Sequence, residues 1–274
     1  MAYPTVSAPY GFKPVNLIGG QAFVGSTRNL PIAYNYGTAI YNGDPVTLTA
    51  GLVTIATAPV NSTNTIIGYF AGCYYTNPTT KQRLYSQYYP GSVTAGDITA
   101  VIVDDPDVVL KVVATAAAGS TVVASFSQLL VGGNVVAGTQ VGSVNNGDSA
   151  QGVVDAAAVA ATTAGFRVLQ LVPDTQTSTG GTYVSGTGTT TLVVSGLPTS
   201  TTFPIGTDVY NIVNGQLQFT GSSLSAAVTT AASAGNTSLT VTASSVAVSG
   251  TVALVQTPEA LVKTNFGVHR YNVA

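Results

Sequence analysis

Short runs of β-branched residues recur along the whole chain, and turn-forming residues separate them. Val, Ile and Thr favour strands because their branched side chains pack well on a pleated surface, whereas Gly, Asn, Asp and Pro favour connections. Helical periodicity is scarce, and only the Ala-rich residues 155–163 could form two helical turns or, equally, a small-residue strand. The pattern predicts an all-β fold with strands at residues 45–49, 53–56, 65–70, 99–103, 108–113, 166–172, 190–194, 238–242 and 251–255.

Four dipeptides contain residues that tolerate a positive φ angle, which tight connections between antiparallel strands require. They are Asn42-Gly43, Gly132-Gly133, Asn146-Gly147 and Asn214-Gly215. We expect many of them to lie at the ends of hairpins.

Charged residues make up only 7% of the 274-residue chain, against roughly 25% in ordinary soluble proteins. Eight Lys and Arg residues form no basic stripe that could neutralise phosphates, so we expect no nucleic-acid partner. The mean hydropathy of +0.37 predicts a folded chain, not a disordered one. Because no stretch of about 18 apolar residues is present, we expect no membrane span. The first residues lack a basic segment followed by an apolar one, which indicates synthesis in a cytoplasm without a signal peptide.

The charged residues are unevenly distributed. Fourteen of the eighteen lie in residues 1–175, whereas residues 176–257 contain only Asp208 and consist mainly of Thr, Ser, Gly, Val and Ala. We therefore predict that residues 176–257 form an inserted, small β-sandwich-like domain that begins with a flexible stretch at residues 175–181. Residues 38–175 and 258–274 are predicted to form the first domain, with residues 260–271 pairing back onto it.

Residues that could carry chemistry are few. His269 is the only histidine, and we predict a structural or interface role for it. A zinc site needs three or four Cys or His ligands, and the chain has one of each. Cys73 lies in an apolar run and is predicted to be a small buried side chain, with a reactive thiol as the alternative. The sequence therefore predicts a non-enzymatic protein with no catalytic, cofactor-binding or metal-binding residues and no cofactor.

Three carboxylates lie close together at Asp104, Asp105 and Asp107. Their oxygens suit a hard cation such as calcium, but the spaced ligands and bidentate Glu of a calcium loop are missing. We predict instead that this Asp-Pro segment forms the turn between the strands at residues 99–103 and 108–113.

Five tyrosines cluster within sixteen residues, around Lys81 and Arg83. Tyr and Arg are enriched at protein interfaces, because both offer a large contact area with a polar end. The alternative is that these tyrosines are ordinary strand residues whose hydroxyls reach water. The cluster comprises Tyr74, Tyr75, Tyr85, Tyr88 and Tyr89.

Several distinctive blocks of the sequence lie in the first 175 residues and the last dozen, and they leave the predicted insertion outside. The blocks are SAPYGFKPVNLIGGQ (residues 7–21), GSTR (25–28), IYNGDPV (40–46), IGYFAGC (67–73), SQYYPG (86–91), VDDPD (103–107), RVLQLVP (167–173) and LVKTNFGVHRY (261–271). These blocks resemble those of virion structural proteins of tailed bacteriophages.

The resemblance implies a capsid decoration, or cement, protein with a β-barrel or β-tulip core. Such a protein binds the outer capsid surface of the virion as a homotrimer, so the expected partners are the major capsid protein and further copies of the chain. Residues 1–37 are then either an extended arm laid across a neighbouring subunit or the first β-segment of the chain's own barrel.

Two other functions fit a virion protein. The inserted domain could be the glycan-binding head of an adhesion or host-recognition module, although the chain has no Trp and the insertion has few aromatic residues for sugar stacking. A major capsid protein is the third possibility, but its usual fold needs a long, charged helix that this sequence does not show.

Overall fold

The computed structural model describes residues 6–56, 65–154, 164–187, 190–198, 202–224, 228–229, 236–244 and 246–265. Their regular structure consists of strands and two short 3-10 turns at Gln128–Leu130 and Pro173–Thr175, with no α-helix among these residues. The all-β prediction is confirmed. In the part of the chain described, no helix is long and apolar enough to cross a membrane. Residues 155–163 and His269 lie outside the described residues.

Twenty strands follow one another in the described ranges. They are β1 (Lys13–Leu17), β2 (Arg28–Pro31), β3 (Pro45–Thr49), β4 (Leu52–Ile55), β5 (Gly68–Thr76), β6 (Arg83–Ser86), β7 (Thr99–Val103), β8 (Val108–Thr115), β9 (Asn134–Val135), β10 (Val153–Val154), β11 (Phe166–Leu171), β12 (Thr177–Thr187), β13 (Thr191–Ser195), β14 (Thr202–Phe203), β15 (Asp208–Val213), β16 (Gln216–Ser223), β17 (Val228–Thr229), β18 (Asn236–Thr240), β19 (Thr251–Gln256) and β20 (Glu259–Thr264).

The first sheet has the order β1-β8-β20-β11-β9, and β10 pairs in parallel with the end of β8. Its central strand β8 is a nearly continuous apolar run, which is typical of a strand covered on both faces. The hydrophobic cluster of this sheet includes Phe12, whose ring stacks on that of Phe166 with 4.6 Å between the centroids.

The second sheet has the order β2-β7-β5-β3-β4, and β6 pairs with β5. A parallel bridge between Ile32 and Val53, both of which are buried, links the two ends of this order. Its separate hydrophobic cluster also includes Ile40, Phe70 and Tyr89. The two edges of the sheet thus meet at one point. A single bridge does not close a barrel, so the barrel or tulip core stays a prediction.

The third sheet contains only strands from residues 177–256, in the order β16-β15-β19-β12-β13-β18. A bridge between Leu224 and Val241 follows the outer strands β16 and β18, and β14 and β17 form a separate two-stranded ribbon. The sheet encloses its own hydrophobic cluster. The chain leaves the first sheet after β11 and re-enters it at β20, between β8 and β11. The independence of residues 176–257 as a domain stays a prediction.

The predicted flexible stretch at residues 175–181 is wrong for most of its length. Residues from Thr177 onward belong to β12, which lies inside the third sheet between β13 and β19. One of the two glycines that suggested flexibility has a packing role, because a Cβ at Gly181 would lie 2.5 Å from Cγ1 of Val194.

The hairpin prediction is confirmed at Asn214-Gly215, where both residues have positive φ and connect β15 to β16. It is wrong at Asn42-Gly43, which precedes β3 and joins no hairpin. The two-residue turn that connects β3 to β4 is Ala50-Gly51, whose φ angles are 51° and 81°. Non-glycine residues rarely adopt a positive φ, so the alanine at position 50 does not indicate a turn in the sequence.

Residues 13–31 pair within the chain itself. Strand β1 pairs with β8 in the first sheet, and β2 pairs with β7 in the second. Between these strands, residues 18–22 and 24–27 are exposed, with Val24 at 91% of its full exposure. Pro9 and Gly11 are also buried, and Tyr10 is hydrogen-bonded to Glu259. Within residues 6–31, an arm that reaches a neighbouring subunit is therefore restricted to this loop and to residues 6–8.

Candidate functional site

The hairpin of β5 and β6 presents two tyrosines and an arginine on its outer side. Tyr74 lies directly opposite Tyr85, and Thr76 lies opposite Arg83. Side chains alternate between the faces of a strand, so the intervening Tyr75 and Leu84 point to the hydrophobic cluster of the second sheet. The alternation thus separates contact residues from core residues within one short hairpin.

Tyr85 is held across the backbone of β5 although 63% of it is exposed. Its hydroxyl donates a hydrogen bond to the carbonyl of Ala71 over 2.9 Å. The ring lies on Gly72, where a Cβ would come within 2.2 Å of the tyrosine oxygen, and Gly72 has a φ of 143°. Glycine at this position leaves the space that the tyrosine ring occupies.

Arg83 covers the ring of Tyr74, with 4.4 Å between its Cζ and the ring centroid. Such cation–π contacts contribute about 0.5–1 kcal/mol at exposed positions. Beside them, Asp97 accepts hydrogen bonds from the amide (3.0 Å) and the hydroxyl (2.6 Å) of Thr76, and these bonds lower the pKa of Asp97. This end of the hairpin therefore carries the opposite charges of Arg83 and Asp97, and exposed Lys81, in the connection between β5 and β6, adds a second positive charge.

The outer side of the hairpin continues across β7 and β2. Thr99 lies opposite Tyr74, and Pro31 lies opposite Thr99, so the surface spans four strands. We call this surface the tyrosine face. It comprises Asn29, Pro31, Tyr74, Thr76, Arg83, Tyr85, Thr99 and Val101.

The predicted tyrosine cluster divides into three groups. Tyr74 and Tyr85 lie on the tyrosine face, whereas Tyr75 and Tyr89 are buried in the core of the second sheet. Tyr88 stacks on Tyr41, which is buried, with 5.5 Å between the ring centroids. The interface interpretation stays a prediction for the two outward-facing residues, Tyr74 and Tyr85, and the sequence spacing alone does not identify these two.

Cys73 is buried, and its Sγ lies 3.7 Å from the carbonyl oxygen of Tyr88. Burial raises the pKa of this thiol to about 12. The burial of Cys73 confirms the prediction of a small buried side chain. A thiol with this raised pKa is not a nucleophile near neutral pH.

The carboxylates of the Asp-Pro segment point to different partners. Asp104 pairs with Arg28 (2.8 Å), Asp107 pairs with Lys263 (2.6 Å), and Asp105 accepts the amide of Asp107. Among the residues that the structure describes, no group of three or more His, Cys, Asp or Glu side chains could hold a metal ion. The turn prediction is confirmed, except that β7 and β8 belong to different sheets.

Two concavities lie away from the tyrosine face. One, of about 240 Å³, lies beside the connection to the third sheet, and the other, of about 180 Å³, lies next to Tyr41. Their linings in the described part of the chain contain no carboxylate, histidine, cysteine or basic side chain, and the phenol of Tyr41 is the one titratable group among these lining residues.

The aromatic residues of the third sheet are mostly used in packing. Phe203 is fully buried and Tyr183 packs against the hydrophobic cluster. Tyr210 and Phe219 form a partly exposed pair, with 5.2 Å between tilted rings. The predicted glycan-binding head would have to depend on this pair.

Comparisons of the chain with protein-family models, with curated proteins and with solved structures gave no match.

Proposed function

We propose that the chain is a structural protein of a bacteriophage virion, which binds the outside of the capsid and stabilises it by clamping neighbouring major capsid subunits. The observation that carries the proposal is the tyrosine face, a preformed aromatic surface on the β5–β6 hairpin. The sequence blocks that resemble virion proteins include Gly72 and Cys73 of β5, so the two lines of support meet at the same strand.

The tyrosine face suits a permanent contact for an energetic reason. A side chain that is already fixed loses little conformational entropy on binding, and Tyr85 is fixed by its hydrogen bond and by Gly72. Tyr and Arg are also the residue types that most often dominate interface energies. Exposed ion pairs would add only about 0–1 kcal/mol each, so the scarcity of charge does not weaken such an interface.

Self-association is the second part of the proposal. A surface with few charges provides little repulsion between copies, which favours assembly into the homotrimer proposed here. The exposed loop at residues 18–27, with Val24 at its tip, is the segment that we propose to reach a neighbouring subunit.

The test uses particles of the phage whose genome encodes the chain. Particles stripped of the protein are mixed with the recombinant full-length chain, and the bound fraction is measured after sedimentation. We expect saturable binding to the outer surface, which Tyr85→Ala and Arg83→Ala each weaken by about tenfold or more. Tyr34→Ala is the matched control, because Tyr34 is 65% exposed but lies outside the tyrosine face.

Two results would overturn the proposal. One is that the chain is absent from purified particles and does not bind stripped ones. The other is that Tyr34→Ala weakens binding as much as Tyr85→Ala does. A glycan array probed with the same full-length protein separates the adhesion alternative, since the proposal expects no binding and a glycan-binding head requires a signal that Tyr210→Ala removes.

A further inference from the structure

Lys13, Asn42 and Asp148 meet although they lie far apart in the sequence. The Nζ atom of Lys13 lies 2.5 Å from Oδ1 of Asn42 and 2.7 Å from Oδ1 of Asp148. Lys13 begins β1 of the first sheet, Asn42 precedes β3 of the second, and Asp148 follows a turn in the loop before β10. The amine of Lys13 thus contacts both a carboxamide and a carboxylate.

The backbone around this cluster is built for close approach. The Phe12 amide donates to the carbonyl of Gly43, and a Cβ on Gly43 would lie 2.9 Å from the Phe12 nitrogen. A Cβ on Gly11 would lie 3.1 Å from Cα of Gly43, so side chains would push the two segments apart. A parallel bridge places Asn42 beside Asp148. Glycines thus bring the segment of Lys13 against that of Asn42.

The side chains of the cluster are also oriented. Nδ2 of Asn42 donates to the carbonyl of Ala71 over 3.0 Å, which directs Oδ1 of the carboxamide towards Lys13. Asp148 accepts a second hydrogen bond, from Nε2 of Gln87 over 3.1 Å. The positive charge of Lys13 also attracts the buried carboxylate of Asp44. Oδ2 of that carboxylate, however, accepts a hydrogen bond from the backbone amide of Tyr41. Asp148 is therefore the carboxylate in contact with the amine.

We propose that Lys13 and Asn42 become joined by an intramolecular isopeptide bond, with Asp148 as the acid–base group. The Asp148 carboxylate takes a proton from the Lys13 ammonium, and the neutral amine attacks Cγ of Asn42. A new bond forms between Nζ and Cγ, and the bond between Cγ and Nδ2 breaks. Nδ2 leaves as ammonia with the proton that Asp148 returns. The second proton, which Nζ loses on becoming an amide nitrogen, passes through Asp148 to the ammonia, which departs as ammonium, so no oxidant or other reactant is needed.

The bond would tie the first sheet to the second. It would close a loop of 29 residues between Lys13 and Asn42, in a chain whose single cysteine, Cys73, cannot form an internal disulfide. Cross-links stabilise mainly by restricting the unfolded chain. This role is independent of the tyrosine face and of any capsid.

A competing reaction at the same residue would release the same ammonia. Asn-Gly sequences form succinimides when the glycine nitrogen attacks the carboxamide carbon. Here the Gly43 amide donates to the carbonyl of Phe70 over 2.7 Å, so it is engaged elsewhere. The test must nevertheless separate the two products.

The test is the intact mass of the purified full-length chain under denaturing conditions, after prolonged incubation of the folded protein. We expect a mass lower than that of the sequence by one ammonia, about 17 Da. Trypsin cuts after Lys and Arg, but not between Lys13 and Pro14, so residues 1–28 and 29–81 should appear as one linked peptide. Lys13→Arg and Asp148→Asn should have the full mass.

The matched control is Asp107→Asn, which removes the carboxylate of another close lysine–aspartate pair, that of Lys263, and should keep the mass loss. The proposal is overturned if the wild-type chain retains its full mass. It is also overturned if the chain loses ammonia while residues 1–28 and 29–81 appear as separate peptides, which would identify a succinimide at one of the Asn-Gly sequences. Either failure leaves the binding of the chain to particles unaffected, so the two proposals fail separately.

Discussion

The carboxylate of Asp208 accepts a hydrogen bond from the hydroxyl of Ser127, with 2.9 Å between Oδ1 and Oγ. Its other oxygen accepts the amide of Gln128 over 2.7 Å. Asp208 begins β15 of the third sheet, whereas Ser127 lies between β8 and β9 of the first. The only charged residue of the predicted insertion is thus buried where that insertion meets the rest of the chain.

Stability should decrease as pH rises because Asp208 is buried, and its hydrogen bonds to Gln128 and Ser127 offset only part of the effect of burial on its pKa. Burial raises the pKa of Asp208 to about 7, so between about pH 4 and 7 the folded chain binds more protons than the unfolded chain. The free energy of unfolding should therefore fall through this range, by on the order of 4 kcal/mol from this group. Asp44, with a pKa raised to about 6 by burial, acts in the same direction.

Urea unfolding of wild type and of Asp208→Asn at about pH 5 and pH 8 checks this expectation. The variant should lose most of the pH dependence and be the more stable of the two at the higher pH. Asp174→Asn, which changes an exposed aspartate on the connection to the third sheet, is the control and should follow wild type. An unchanged pH dependence in Asp208→Asn would refute the assignment.

Gly72→Ala should disturb both stability and binding. The added Cβ would meet the Tyr85 oxygen, and alanine is strained at this φ, so we expect a loss of roughly 1–3 kcal/mol and a displaced ring. Gly51→Ala is the control, because Gly51 also has positive φ but no atom lies near its missing Cβ.

Thermal unfolding and particle binding of Gly72→Ala, Tyr85→Ala and the double variant form a cycle. The part of the Gly72→Ala destabilisation that comes from the clash with the tyrosine ring should vanish when Gly72→Ala is combined with Tyr85→Ala. Fully additive effects would mean that Gly72 and Tyr85 do not interact.

Cys73 should be unreactive in the folded protein. Its burial and raised pKa leave almost no thiolate at about pH 8, so a thiol reagent such as DTNB should label it only after unfolding. The absorbance of the released thiolate measures the extent of labelling. Rapid stoichiometric labelling of the native chain would contradict the buried position.

Strands that are specified by their own residues and by the turns next to them could be predicted from the sequence. Residues 45–49 and 99–103 are strands in the structure, because β-branched residues there are followed or preceded by turn-forming ones. Strand β12 could not be found in this way, since Gly181 marks close packing against Val194, and packing between strands leaves no local signal.

Contacts between distant segments were the least predictable feature. The alternation of β5 and β6 decides which tyrosines face outward, but the register that pairs Tyr74 with Tyr85 depends on the turn between the strands. The contact of Lys13 with Asn42 and Asp148 depends on the placement of two sheets and a loop. No spacing in the sequence indicates it.

Binding to particles should depend little on salt. The tyrosine face carries Arg83 with Asp97 beside it, so few counterions are released on contact, and the affinity should change by less than about threefold between ~50 and ~500 mM salt. The free chain should also self-associate most near its isoelectric point of 5.0. Light scattering across pH and binding across salt measure the two effects, and a steep loss of affinity with salt would contradict a neutral interface.

The central proposal is tested most directly by an electron cryo-microscopy image of intact particles of the encoding phage. If the chain binds the capsid through the tyrosine face, we expect density for the chain on the outside of the capsid. The β5–β6 hairpin should lie against the shell, with Tyr85 in contact with major capsid subunits. Particles that lack this density, or that bind the chain with Tyr85 facing solvent, would contradict it.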